Sequence, residues 1–140
     1  MQTRLLIGGF AALAVVATAA FADTVSYKAD LAGSQEVPAV AGGGKGSAEL
    51  TYDTASKKLT WKVTFSGLSG AATAAHFHGP AEAGKNAGVA VPIPGTASPL
   101  EGSATLTDVQ ATDLMAGKWY VNIHTAANKG GEIRGQVVKK

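Results

Sequence analysis

The sequence contains no cysteine, which excludes disulfide bonds and thiolate metal ligands. The fold must therefore rest on packing and not on disulfide bonds. Methionine is also scarce, since Met115 is the only one after the first residue. The soft sulfur ligands that Cu(I) prefers are thus not supplied, and any metal site must rely on histidine, amide or carboxylate groups.

Charge of either sign is sparse as well. The chain has 12 Lys and Arg against 10 Asp and Glu, a formal net charge of +2. So small a net charge does not indicate the basic surface that binds nucleic acid or an anionic membrane. We expect neither as a partner.

The one long hydrophobic run lies at the N terminus. Arg4 precedes an apolar stretch over residues 5–21, and Ala20-Phe21-Ala22 has the small-x-small pattern of a cleavage site, which together predict a secretory signal peptide over residues 1–22. Cleavage after Ala22 would leave one domain, residues 23–140, with a formal charge of +1 once Arg4 is removed. We expect a periplasmic or secreted protein without membrane contact after cleavage. An uncleaved anchor is the alternative, because a run of about 17 residues can span a bilayer.

The remainder of the chain alternates apolar and polar residues in short runs separated by Gly, Pro, Asn and Asp. This pattern is typical of an antiparallel all-β sandwich or barrel. The predicted strands are residues 25–31, 46–52, 59–65, 75–78, 89–94, 102–107, 119–125 and 132–138. Pro92 and Pro94 cannot donate ladder hydrogen bonds, so we expect their strand at a sheet edge.

One short connecting helix is predicted over residues 108–116. Thr107 can serve as its N-cap with Gln110 three positions later, and Gly117 is a natural stop. We expect Val109, Leu114 and Met115 of this helix to cover an open end of the sheets.

All three histidines of the chain fall in two of the predicted strands. His76 and His78 are two apart and therefore share a face, with Phe77 on the other side. In the second strand, Val121 and its apolar neighbours form one row, which leaves His124 on the opposite row together with Asn122 and Tyr120. If the two strands are neighbours, the three imidazoles can converge on one point outside the core.

The functional interpretation of this group is a mononuclear metal site made by His76, His78 and His124. Imidazole suits copper and zinc, and three protein ligands leave an open position for water or substrate. We expect copper over zinc, because Cu(II) tops the affinity order of divalent ions. Glu82, Asn122 and Glu132 are candidates for a fourth ligand or for an outer group that orients an imidazole. Ligating imidazoles must be neutral, so binding should weaken below about pH 6.

A structural interpretation remains open for each of these residues. The histidines can instead hydrogen-bond across strands to Asn122, Thr125 or Glu132 and thereby order the loops. We expect Glu132 and Arg134 to form a cross-strand ion pair or loop anchor rather than to act in catalysis. The sequence has no serine elbow, no carboxylate pair spaced for glycoside hydrolysis and no phosphate-binding loop.

Several separated motifs, in order, resemble the CHRD domain, which is named for its occurrence in chordin and also occurs alone in exported bacterial proteins. The motifs are residues 31–38 (LAGSQEVP), 75–80 (AHFHGP), 107–117, 120–128 (YVNIHTAAN) and 131–136 (GEIRGQ). The likeness spans nearly all of residues 23–140. It implies a β-sandwich of the immunoglobulin or superoxide dismutase type, in agreement with the alternation.

The resemblance implies less about function. The Cys-rich modules of chordin are absent, so its growth-factor binding is not carried over. The His-x-His strand with a later strand histidine is similar to the copper site of Cu,Zn superoxide dismutases, but those enzymes use more histidines than this chain has. An open metal position permits copper-dependent superoxide or peroxide chemistry, but the smaller number of histidines argues against dismutase activity. The second hypothesis is an adhesive or scaffolding module that binds a protein or polymer and whose histidines are structural.

Overall fold

The computed structural model of the protein describes residues 11–17 and 23–140. The predicted signal peptide lies largely outside these ranges, and residues 11–17 are exposed and belong to neither helix nor strand. No helix of the described part is long and apolar enough to cross a membrane.

Nine strands, one α-helix and one short 3-10 helix make up residues 23–140. The strands are β1 (Thr24–Ala32), β2 (Lys45–Asp53), β3 (Lys58–Ser66), β4 (Ala72–His78), β5 (Val89–Ile93), β6 (Leu100–Thr105), β7 (Tyr120–Thr125), β8 (Ile133–Gln136) and β9 (Val138–Lys139), the α-helix is α1 (Asp108–Met115), and the 3-10 helix is Gly33–Gln35. Each predicted strand is present, with boundaries that differ by a few residues at most, except that the strand predicted over residues 132–138 is divided at Val137 into β8 and β9.

The strands form one antiparallel sheet in the order β5-β4-β7-β8-β1-β2-β3-β6, with β9 also paired to β1. The end strands β5 and β6 contact each other, so the sheet curls into a nearly closed barrel-like sandwich. The all-β prediction is confirmed. Strand β5, which carries Pro92, lies at an end of the sheet as predicted.

Alternation places the large apolar side chains inside the curled sheet. Phe77 lies between two tryptophans, with ring-centroid distances of 5.4 Å to Trp61 and 5.8 Å to Trp119. These three side chains are at most 3% exposed. Because Phe77 is buried here, its neighbours His76 and His78 must point to the other face of β4.

Helix α1 begins as the sequence predicts. The Thr107 hydroxyl accepts a hydrogen bond from the Gln110 amide (3.1 Å), and the Gln110 side chain accepts one from the Thr107 amide (3.0 Å). The sequence predicted that Val109, Leu114 and Met115 of this helix face the core, and this prediction was wrong for two of the three. Leu114 is buried together with Ala111 three residues before it, whereas Val109 and Met115 are 71% and 54% exposed. The helix packs through the side on which residues 111 and 114 lie, and Val109 falls almost opposite that side.

Thr107→Ala is expected to lower the free energy of unfolding by about 1 kcal/mol, because it removes the hydroxyl that accepts a hydrogen bond from the Gln110 amide. Urea denaturation followed by circular dichroism measures the change. The control is Val109→Ala, whose exposed side chain makes no core contact. A Thr107→Ala protein as stable as the wild type would contradict the prediction.

Candidate metal centre

Strands β4 and β7 are direct neighbours, which places the three histidines on one surface. His76 pairs with Asn122 in the ladder, His78 with Tyr120, and His124 with Ala74. His78 is buried, whereas His76 and His124 are partly exposed at the rim. The predicted convergence of the three imidazoles is thus present in the structure.

The three histidines form a group that could hold a metal ion. One nitrogen from each lies within 4.8 Å of the corresponding nitrogens of the other two. His76 Nδ1 and His124 Nε2 are only 3.0 Å apart. Ligands at bond lengths of about 2 Å can be at most about 4 Å apart, so a small rotation of an imidazole would bring the widest pair into range.

Backbone carbonyls hold two of the imidazoles through Nδ1. His78 Nδ1 donates to the Ala87 carbonyl (3.0 Å), and His124 Nδ1 donates to the Lys129 carbonyl (2.8 Å). In a neutral ring this leaves Nε2 without a proton. Metal-binding histidines are commonly fixed in this way, with one ring nitrogen on a carbonyl and the other free for the ion.

The surroundings favour the neutral imidazoles that a metal ion requires. Burial lowers the pKa of His76, and the nearby imidazoles of His124 and His78 lower it further. Burial also lowers the pKa of His78, against the opposing effect of its hydrogen bonds to Ala87 and Asn122. Both rings are therefore more readily neutral than an exposed histidine.

An aromatic and cationic stack supports His78 from behind. The Tyr120 ring lies parallel to the His78 ring at a centroid distance of 4.7 Å, and the Arg134 guanidinium lies 3.5 Å from the Tyr120 centroid. Arg134 is 1% exposed and donates to the Asn86 side chain (3.0 Å) and the Lys85 carbonyl (2.6 Å). The loop over residues 79–88 is thereby fastened across this part of the sheet.

The acidic candidates for a fourth ligand do not join the histidines. Glu82 is exposed and lines a separate recess with Lys118. The Glu132 carboxylate accepts hydrogen bonds from the Ser69 amide (2.9 Å), from the side chains of Thr125 (3.0 Å) and Asn128 (2.9 Å), and from the Ser69 hydroxyl. These donors outweigh the effect of burial and hold the pKa of Glu132 below its usual value.

The expected ion pair between Glu132 and Arg134 does not form within residues 23–140, and both side chains instead match the other expectation, that of loop anchors. The Glu132 carboxylate already accepts hydrogen bonds from hydroxyl and amide donors. The Arg134 guanidinium donates to the loop over residues 79–88. The Arg134 charge instead acts on Glu36, where it opposes the rise in pKa that burial causes.

Sequence reasoning missed Glu36 as a neighbour of the site. It is only 6% exposed, although it lies in a Gly- and Pro-containing segment that indicates a solvated loop. The carboxylate lies near the side chain of Asn122, since a Cβ placed on Gly131 would meet both groups. No local signal reveals this contact, because it depends on how residues 33–40 fold back over β7 and β8.

A recess of 590 Å³ lies away from the histidines, on the outer face of the sheet beside Thr51, Thr60 and Ser103. None of the three histidines lines this recess. Three imidazoles whose ligand nitrogens lie within 4.8 Å of one another are spaced for an ion.

The fold and this group together define a class of protein, an antiparallel β-domain with a three-histidine cluster on its outer face. The chain belongs to the CHRD domain family, whose model matches residues 27–137. Comparison with curated proteins and with solved structures finds no match. The family assignment therefore rests on the match to the CHRD domain model, and it confirms the predicted resemblance.

Proposed function

We propose that this protein is an exported domain that binds one copper ion, with zinc as the alternative, through His76, His78 and His124. The observation that carries the proposal is the convergence of three imidazoles from adjacent strands, two of them fixed through Nδ1 by backbone carbonyls. Such a neutral nitrogen set matches copper and zinc, and Cu(II) binds most tightly in the divalent series.

The position of the group suits metal handling or redox chemistry. His76 and His124 lie at the solvent-exposed rim, so an ion could enter and leave from that side while His78 holds it from beneath. Three protein ligands leave room for water or a small oxidant. The signal peptide predicted over residues 1–22 would send the site to the periplasm or the exterior.

Metal retention tests the proposal directly. Protein carrying no histidine tag is loaded with Cu(II) or Zn(II), desalted and analysed by atomic emission. The wild type should retain about one equivalent, and the triple variant His76→Ala/His78→Ala/His124→Ala should retain none. Circular dichroism establishes that both proteins are folded.

Two results would contradict the proposal. Equal retention by the wild type and the triple variant would place any bound metal elsewhere. A wild type that retains neither ion would favour the alternative of an adhesive or scaffolding module with structural histidines.

A further inference from the structure

The loop that joins β7 to β8, residues 126–132, holds one of the three histidines through its backbone. The Lys129 carbonyl accepts a hydrogen bond from His124 Nδ1 (2.8 Å). A carbonyl oxygen can only accept, so this nitrogen carries a proton whether the ring is neutral or charged. The other ring nitrogen of His124, Nε2, lies 3.0 Å from His76 Nδ1 and is the one that faces the centre.

One carboxylate closes this β7–β8 loop and ties it to a second loop. Glu132, its last residue, accepts hydrogen bonds at Oε1 from the side chains of Asn128 (2.9 Å) and Thr125 (3.0 Å). Its Oε2 accepts a hydrogen bond from the Ser69 amide (2.9 Å), which belongs to the loop between β3 and β4. Glu132 is only 5% exposed, so these contacts are largely shielded from water.

The backbone supplies little of the order in the β7–β8 loop. The Gly131 amide donates to the Asn128 carbonyl (3.0 Å), but the amides of Lys129 and Gly130 have no backbone partner within residues 23–140. Glycine also loses more conformational freedom on ordering than any other residue, and two glycines lie here. The position of the Lys129 carbonyl therefore depends on the neighbouring Asn128 side chain, which Glu132 holds.

We infer that Glu132 is a positioning residue of the metal centre, which orients His124 through the β7–β8 loop without contacting it. This inference rests on the proposed metal function and makes it more specific. The contacts run from Glu132 to the Asn128 side chain, along the backbone to the Lys129 carbonyl, and from there to His124 Nδ1. Outer groups that fix the orientation of a ligating imidazole raise the affinity for the metal.

His78 provides an internal control, because a different loop anchors it. Its Nδ1 lies 3.0 Å from the Ala87 carbonyl, in the segment that Arg134 fastens. Removal of the Glu132 carboxylate should therefore disturb His124 and spare His78. A general loss of stability would affect both rings.

The first measurement is Cu(II) affinity by chelator competition. Glu132→Ala is expected to weaken binding by about 10-fold, at the lower end of the range for outer partners because its effect is indirect. Asn128→Ala should weaken binding by a similar factor, and the double variant should bind no more weakly than Glu132→Ala, because both changes break the same contact. The control is Leu59→Ala, which truncates a buried side chain of β3 that belongs to neither loop.

The second measurement is nuclear magnetic resonance of the metal-free protein. The proton on His124 Nδ1 should be observable in the wild type, because its hydrogen bond to the Lys129 carbonyl slows its exchange with water. In Glu132→Ala this signal should be lost, whereas the corresponding signal of His78 should persist. A purely structural role of Glu132 would change both signals or neither.

The third measurement uses the reciprocity of coupled equilibria. A metal ion that favours the ordered β7–β8 loop must favour the Glu132 contacts to the same extent. Bound Zn(II), which is diamagnetic, should therefore slow the hydrogen exchange of the Ser69 amide on the other loop. The triple variant His76→Ala/His78→Ala/His124→Ala should show no such change.

The outcomes separate the two proposals. Metal binding that depends on the three histidines, yet keeps its affinity in both Glu132→Ala and Asn128→Ala, would overturn this inference and leave the proposed function standing. An equal loss of affinity in Leu59→Ala would also overturn it. No metal binding by the wild type would overturn both. If Glu132→Ala fails to fold, the affinity and the His124 signal of Asn128→Ala decide.

Discussion

Each single substitution His76→Ala, His78→Ala or His124→Ala is expected to weaken Cu(II) binding by more than about 100-fold. Loss of a direct ligand should exceed the roughly 10- to 100-fold cost of losing an outer partner. Chelator competition on the three variants measures the affinities. Thr73→Ala, an exposed change in the same strand as His76 and His78, is the control.

The three variants should differ in stability even though each loses metal. His78→Ala removes a ring that bonds to the Ala87 carbonyl and stacks on Tyr120, so this variant should unfold more easily than the other two. His76 and His124 lie at the rim, and their loss should cost less. A histidine whose removal leaves the Cu(II) affinity unchanged would not belong to the ligand set.

Glu132→Ala is expected to lower the free energy of unfolding by about 2–3 kcal/mol, measured by urea denaturation without metal. The substitution leaves the buried Thr125 hydroxyl without its acceptor, which costs about 1–3 kcal/mol. The Ser69 amide and the Asn128 side chain also lose their acceptor, but they reach solvent and should add less. The carboxylate is 5% exposed and joins the loop after β3 to the loop after β7.

The same carboxylate should make the fold sensitive to acid. Its pKa is depressed in the folded protein, so its contribution to stability is complete above the unfolded value of 4.5 and is lost as the pH falls through the folded pKa. The difference in stability between the wild type and Glu132→Gln should therefore shrink below about pH 4.5. Glu101→Ala, an exposed change, is the control. A difference that stays constant down to about pH 3 would contradict this assignment.

Alternation along single strands was sufficient to predict which side chains share a face. Every second side chain of β3 and the side chain of Phe77 are directed inward, and this alternation can be read from the local sequence pattern. The capping box of α1 was predictable for the same reason, since Thr107 and Gln110 are three residues apart. The side on which the helix packs depends on the sheet beneath it, and there Val109 and Met115 were assigned wrongly.

Register and loop coverage could not be read from the sequence. The pairing of His76 with Asn122 requires β4 and β7 to be neighbours, and neither strand encodes its partner. The burial of Arg134 depends on residues 79–88 crossing the sheet. Glu36 escaped notice because a charged residue in a Gly-rich segment ordinarily faces water.

The curled sheet limits how another chain could attach to it. Terminal strands with free N–H and C=O groups invite a further strand from outside, a common route to aggregation. Here β5 and β6 contact each other, and Pro92 of β5 has no N–H to offer an incoming backbone. A chain without disulfides can in this way discourage fibre-like self-association, and a protein partner would have to recognise side chains instead of extending the ladder.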